Sequence, residues 1–331
     1  MKKKLVISQS PYRISLGGGG TDLPFYLKEE RYGRLISATI DQYVKVTVAP
    51  RILDESILVQ TTDVQFVNNV DEVDHVLVRE ALRYFNLPEG IQVATFTTIP
   101  SSIGLGTSST VMVGLVNALA TLVGRSLSPL EIGQIAHYIE RNVLGLIGGI
   151  QDQYISALGG VQILEVSPSG EVTAQPLFIS EEKRQDLERG LVLVFTNKKR
   201  DSCKIVQTQK QELTEKTFEV YDKIKELGDH SIPLLQSADI VGLGCIMDEH
   251  WHLKKTLSKN ISNDSFDSIY KELKSLGSPG GKIIGAGGGG FFMMAVPSDV
   301  DGYITKLDKL GYRHLDWQFE FKGSHIIDVI Q

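Results

Sequence analysis

Twelve of the chain's 32 glycines fall in compact groups: Gly17 to Gly20, then Gly104 with Gly106, then Gly285 with Gly287 to Gly290, with Gly281 just upstream. Scattered glycines mark loops. Clusters at junctions of strands and helices mark backbone that something approaches closely, often a phosphate. Any fold for this chain has to place three bare stretches of backbone where side chains would obstruct. The remaining composition can build such a fold, because 42% hydrophobic residues fill a core and 22% charged residues cover a surface. A net charge of −6 argues against a broad nucleic-acid-binding face and leaves room for a small basic pocket. Cys203 and Cys245 are too few for a disulfide framework or a thiolate metal cage, and they suit a reducing cytoplasm. The opening MKKKLVISQSPYR has too short an apolar run for a signal peptide. The longest apolar stretch, Val111 to Val123, holds Asn117 and falls short of the ~20 residues of a membrane span. The expectation is a cytoplasmic protein with a small-molecule partner, no membrane or nucleic-acid partner, and a homodimer left open.

Alternating β-branched residues predict strands over Leu5 to Ser10, Leu35 to Val48 and Ile91 to Thr97, and helical spacing predicts a helix over Val73 to Phe85. Thr107 to Val123 is apolar almost all round and reads as a buried helix. Ser128, Pro129 and Glu131 spell an N-cap, a first-turn proline and the far side of a capping box, opening a helix to about Leu144. Val161 to Val166 and Val172 to Pro176 read as a hairpin. After residue 180 come a strand at Leu191 to Thr196 and one long helix from Ser202 to Leu227. Helices follow at Ile232 to Leu257 and Ser265 to Leu276. Then comes a glycine-interrupted strand, KIIGAGGGGFFMMAV, a helix at Val300 to Leu310, and two strands turning at Lys322–Gly323. No linker separates the halves, so the second is expected to pack closely on the first.

The segment PSSIGLGTSSTVMVG, from Pro100 to Gly114, carries the strongest local signal. Its glycines lead to Thr107, Ser108 and Ser109 at the head of the apolar helix, where N–H groups, hydroxyls and the helix dipole converge on a phosphate site. A Ser/Thr N-cap after a glycine turn has the same appearance. No lysine stands where a Walker A loop requires one. Gly285, Gly287 and Gly290 spell G-x-G-x-x-G, but FFMMAV and Pro297 follow, a strand where a dinucleotide fingerprint needs a helix. Arg13 and Asp22 flank the first glycine loop; they could neutralise phosphoryl charge and accept hydroxyl hydrogen bonds, or be a surface arginine and a turn residue. Glu140 on a helix and Asp152 in a glycine-flanked loop are either reactive carboxylates or caps. Lys198 to Arg200, ending a strand, are either solvated or a grip on an anion.

The order of these motifs resembles the GHMP kinase superfamily from residue 11 to 296. PSSIGLGTSS is similar to that family's second motif, with Thr107 in place of the first serine and Thr110 in place of the alanine. GAGGGG is similar to its C-terminal glycine loop. GGGGTDLPFY lacks the Glu-His pair of galactokinases. Together with QDQY and GAGGGGF it looks most like the heptose-phosphate kinase branch.

The resemblance implies an α+β, two-domain GHMP fold: residues 1–185 like the second domain of ribosomal protein S5, and residues 186–331 ferredoxin-like. It implies ATP and Mg²⁺ as cofactors. ATP would be held by Pro100, Gly104, Leu105, Gly106, Thr107, Ser108 and Ser109, and the metal by Ser108 and Glu140. Asp152 would act on the acceptor hydroxyl and Arg13 on phosphoryl charge. Gly18, Gly19, Gly20, Thr21, Asp22, Gly149, Gln151, Lys198, Arg200, Gly287, Gly288 and Gly289 would serve the sugar. The implied reaction moves the γ-phosphoryl group to the anomeric hydroxyl of a heptose 7-phosphate, Lys198 and Arg200 gripping the distal phosphate. Two alternatives stay open: another acceptor, either an unphosphorylated sugar or a non-sugar alcohol, and a non-catalytic ligand sensor of the same fold.

Overall fold

The computed structural model describes residues 5–28, 30–100, 103–198 and 202–330. The first part of the chain runs β1 (Leu5–Gly17), α1 (Pro24–Leu27), β2 (Gly33–Pro50), β3 (Ile57–Gln60), β4 (Val64–Val67), α2 (Val76–Tyr84) and β5 (Ile91–Thr97). There follow α3 (Thr107–Leu122), α4 (Pro129–Tyr138), α5 (Gln151–Leu158), β6 (Val161–Val166) and β7 (Val172–Pro176). The remainder comprises α6 (Glu181–Gly190), β8 (Leu191–Phe195), α7 (Ser202–Gln211), α8 (Glu215–Ser237), α9 (Ile240–Thr256) and α10 (Asp264–Ser275). It ends with β9 (Gly280–Ile283), β10 (Phe291–Ala295), α11 (Val300–Lys309), β11 (Arg313–Leu315) and β12 (His325–Ile330).

Two sheets organise these elements. The larger has the path β12-β1-β2-β5-β3-β4, with β6 and β7 added on β2; only β3–β5 is parallel. The smaller is antiparallel, in the order β11-β8-β10-β9. The long β2 serves two partners, Gly33–Ala38 pairing with β6 and Val44–Pro50 with β5. β12 pairs with β1 only as far as Gln9, and beyond it the edge of β1 meets other partners, the Pro11 carbonyl accepting from Ser156 Oγ and the Arg13 N–H donating to the Leu105 carbonyl. The α+β class read from the sequence is the one observed.

α3 lies on β1 and β2, with twelve of its sixteen residues buried, which explains its all-round apolar sequence. Gly114 lets it press on β2, since a Cβ there would stand 2.7 Å from Val46 Cγ2. The Ser128 capping box opens α4 as expected. Two hydrophobic cores fill the space around the sheets, each drawing side chains from both halves of the chain. The halves are packed together, as the absence of a linker suggested.

Four local readings are corrected. The predicted helix over Ser202 to Leu227 is two helices, because Thr214 and Thr217 form a capping box that starts α8 afresh. α8 then runs on to Ser237, where Ala238 takes φ 54°, so the next helix starts at Ile240 instead of Ile232. The glycine-interrupted strand is a hairpin of β9 and β10, its glycines forming the turn. The two C-terminal strands do not pair with each other: β11 joins the smaller sheet and β12 the larger.

Candidate active site

The structure gathers residues from all three glycine clusters around one cavity of about 630 Å³ between the sheets. The head of α3 forms one wall. Gly106 has φ +80°, which ends the loop and starts the helix without a side-chain cap, and Thr107, Ser108 and Ser109 line the cavity. The first N–H groups of a helix have no partner inside it, so this turn presents donors to whatever the cavity holds.

Arg13, reaching from β1, is buried and makes the central contact. Its Nε donates to Asp152 Oδ1 (2.7 Å) and its Nη2 to Asp152 Oδ2 (2.9 Å), a bidentate pair. The remaining Nη1 donates to the Gly104 carbonyl (2.6 Å), fastening the pair to the glycine loop. Gly106 has to be a glycine on two counts: its φ, and the 3.1 Å that a Cβ would leave to Asp152 Oδ2.

Asp152 stands in the first turn of α5, and Asp22 holds that turn in place. Asp22 Oδ2 accepts from the N–H groups of Ile150 (2.8 Å) and Gln151 (3.0 Å), 128 and 129 residues away in the sequence, and so caps α5. A Cβ at Gly149 would fall 2.0 Å from that oxygen, so the glycine makes room for the cap. Burial raises the Asp22 pKa above the ordinary carboxylate value, the two N–H bonds oppose this, and the charge of Asp152 adds to the rise. Ionisation of Asp22 therefore works against folding. Its contribution to stability is fullest below the unfolded carboxylate pKa and is lost as pH climbs towards the raised folded value. Asp22→Asn keeps a carbonyl oxygen able to accept both N–H bonds, so its stability relative to the native chain should increase as pH rises from about 4. Urea denaturation at pH 4, 5, 6 and 7 tests this; a constant gap between the two proteins contradicts it.

A second polar cluster sits behind the head of α3. Glu140, on a π turn (Ile139–Val143) that extends α4, is only 1% exposed. Its carboxylate accepts from Ser109 Oγ (2.8 Å), from Ser108 Oγ at 3.3 Å, and from Gln153 Nε2, which also donates to Ser109 Oγ (2.9 Å). A buried carboxylate held beside two hydroxyls is a set of hard oxygen donors. Among the described residues no three His, Cys, Asp or Glu side chains gather, so any metal here would take most of its ligands from outside the protein.

The other expected residues are spread more widely. Gly19, Gly20, Gly149 and Gln151 line the cavity, with Gln151 Nε2 donating to Ser37 Oγ. Gly18 and Thr21 instead shape the backbone, Thr21 Oγ1 donating to the Gly18 carbonyl and Gly18 lying against the Arg34 carbonyl. Leu105 is core and Pro100 is exposed; neither lines the cavity. Gly285 and Ala286 line it, whereas Gly287 and Gly288 pack on Ile261 and Ile205, and Gly289 lies beyond the lining. Gly290 closes on the Ile103 carbonyl, joining the third glycine cluster to the second. Lys198 is exposed and off the lining; Arg200 lies outside the described residues. Sequence reasoning passed over Ser15, Arg141, Gln153, Lys254 and Lys282. Lys282 did carry a signal, as a charge inside an otherwise apolar strand.

Residues 75–160 match the GHMP kinases N terminal domain, and residues 231–312 match the GHMP kinases C terminal domain. The sequence is 33% identical to a D-glycero-alpha-D-manno-heptose 7-phosphate kinase of Campylobacter jejuni, over 97% of this chain and 98% of that one. The fold matches that of a D-glycero-D-manno-heptose 1-phosphate kinase from Bacteroides thetaiotaomicron with a TM-score of 0.82 at 26% identity, covering 98% and 100% of the two chains. A Lactococcus lactis galactokinase, solved with galactose, shares the fold at 17% identity and a TM-score of 0.73, over 97% of this chain and 95% of that one. With both halves matched and nearly the whole length aligned to a relative of equal extent, the chain belongs to the GHMP kinases.

Proposed function

We propose that the protein transfers the γ-phosphoryl group of ATP to the anomeric hydroxyl of a heptose 7-phosphate. The observation that carries this reading is the Arg13–Asp152 pair, which lines the cavity together with Gly106 to Ser109 and is tied to the loop before them through Gly104. ATP phosphates would take the N–H groups and hydroxyls at the head of α3. Leu77, Val111, Leu146 and Ile147 would supply apolar lining for the base, and His75 also lines the cavity. Asp152 would accept or orient the proton of the acceptor hydroxyl, and Arg13 would keep that carboxylate aimed while balancing phosphoryl charge. Phosphoryl transfer depends chiefly on position and electrostatics, which a buried bidentate pair supplies without rearrangement. Ser108 and Glu140 fit Mg²⁺ by the chemistry of their oxygens, with phosphate and water oxygens completing its shell. Bound there, the ion would neutralise phosphate charge.

The choice of a phosphorylated heptose rests on the 33% identical relative and its acceptor. ATP consumption with Mg²⁺ across a panel of sugars and sugar phosphates tests it. Turnover with heptose 7-phosphate, and not with free heptose, fucose, galactose or mevalonate, is expected. Turnover confined to an unphosphorylated acceptor would overturn the substrate class, and no ATP binding at all would overturn the kinase.

A further inference from the structure

Away from the Arg13–Asp152 pair, the cavity ends in a cationic recess. Lys282, on β9, is 2% exposed, and its Nζ donates to the Ser15 carbonyl (2.6 Å) on β1, beyond the residues that pair with β12. Lys254, on α9, is 7% exposed, and its Nζ donates to the Gly285 carbonyl (2.5 Å). Both lysines line the cavity. Among the described residues no carboxylate makes an ion pair with Lys282. An ammonium carries three donors, and the Ser15 carbonyl uses one of those on Lys282. Ser15 lines the same recess; its hydroxyl is buried and has no hydrogen-bond partner among the described residues.

A buried cation without a counter-charge is costly, and burial together with the nearby charges of Lys254 and Arg13 drives the Lys282 pKa well below the ordinary lysine value. Burial, with the charges of Lys282 and Lys254, likewise pushes the His250 pKa well below the ordinary imidazole value. A recess built this way is completed by an anion from outside. The unused donors of Lys282 and the Ser15 hydroxyl suit a phosphomonoester, which brings several acceptor oxygens and a charge of roughly −1.5 to −2 at neutral pH that favours the charged form of Lys282.

Position shows which phosphate it takes. Arg13 and Ser15 are two residues apart on one strand, so the recess lies about 7 Å along β1 from the reacting pair. The glycine loop that opens α3 is tied to that pair directly, its Gly104 carbonyl accepting from Arg13 Nη1. A phosphate held there would stand several ångströms from the phosphoryl group being transferred, with the acceptor between the two.

We propose that Lys254, Lys282 and Ser15 bind the phosphate that the acceptor sugar already carries, and so select a sugar phosphomonoester whose phosphate lies across the ring from the hydroxyl that is phosphorylated. This rests on the kinase reading above and assigns to these three residues the role first expected of Lys198 and Arg200.

The test uses the full chain with Lys282→Met, Lys254→Met and Ser15→Ala. D-glycero-D-manno-heptose 7-phosphate is titrated calorimetrically without nucleotide, and ATP is titrated separately. Each lysine variant is expected to weaken sugar-phosphate binding about 10- to 100-fold, the scale of one lost charge-assisted contact, and the serine variant less. Affinity for ATP should be kept. Thermal melting of Lys282→Met without ligand should occur at or above the native temperature, because a buried uncompensated charge has been removed. Unchanged sugar-phosphate affinity in both lysine variants overturns the proposal, and so does a loss that falls on ATP instead. Failure of the substrate reading is separable: it appears as turnover of an unphosphorylated sugar by the native chain. Failure of the recess alone appears as native turnover of heptose 7-phosphate with a KM that neither lysine substitution raises.

Discussion

Asp152→Asn should lower kcat by about 10²–10⁴, the usual range for a general base or its equivalent, while the protein still folds and binds ATP. The substitution preserves shape and removes charge. One oxygen can still accept from Arg13 Nε, but an amide NH₂ then faces Arg13 Nη2, donor against donor. Arg13 is thus left partly unsatisfied in a site where its side chain is only 5% exposed, at a cost of about 1–3 kcal/mol in stability. Arg13→Met makes the complementary loss, since it leaves the Asp152 carboxylate without the guanidinium and unties it from the Gly104 carbonyl. The two residues work as a unit, so the double variant should be little worse than the poorer single one. Steady-state turnover and urea denaturation of the four proteins measure both quantities. Near-native kcat in Asp152→Asn would remove this carboxylate from the chemistry. Strictly multiplicative losses would mean that Arg13 acts elsewhere than on Asp152.

That pair also marks how far the sequence could be read. Arg13 and Asp152 are 139 residues apart, and no local pattern says that they meet; the order of the motifs, taken together, did. Glycine clusters were legible because positive φ and close approach leave few other residues acceptable, as at Gly106 and Gly290. The capping box at Ser128 was legible because its signal lies within four residues. The break between α8 and α9 was not, since Ala238 adopts a left-handed conformation that alanine seldom takes and nothing nearby announces. The Asp22 carboxylate, expected to face a sugar, spends Oδ2 on the first turn of α5, an interaction visible only after folding. Lys254 and Lys255 are neighbours of identical chemistry. Helical phase alone sends one into the cavity and the other to Asp267 on the surface, and a helix as evenly apolar as α9 gives weak notice of that phase.

Glu140→Gln is the second variant expected to have a large effect, and it separates charge from architecture. The glutamine can point its oxygen at Ser109 and Gln153 and its NH₂ at Ser108, whose hydroxyl turns to accept, so the hydrogen bonds around it survive. What disappears is one formal negative charge held 1% exposed beside the head of α3. Nucleotide phosphates alone are repelled by that charge, whereas a divalent cation is attracted to it. ATP without Mg²⁺ should therefore bind the variant as well as, or better than, the native chain. Mg²⁺ should be needed at about 10- to 100-fold higher concentration for half-maximal activity, and kcat at saturating metal should fall by about 10²–10³, on the scale of a lost charge-stabilising group. Nucleotide titrations in EDTA, paired with activity against total Mg²⁺, read the two effects separately. If metal demand is unchanged while activity falls, Glu140 shapes the helix head and holds no ion. If metal-free ATP binds more weakly, the carboxylate is organising the Ser108 and Ser109 hydroxyls for the phosphates directly. The opposite signs for free and metal-bound ATP follow from placing one buried carboxylate between a phosphate site and its cation, and a purely architectural Glu140 would not produce them.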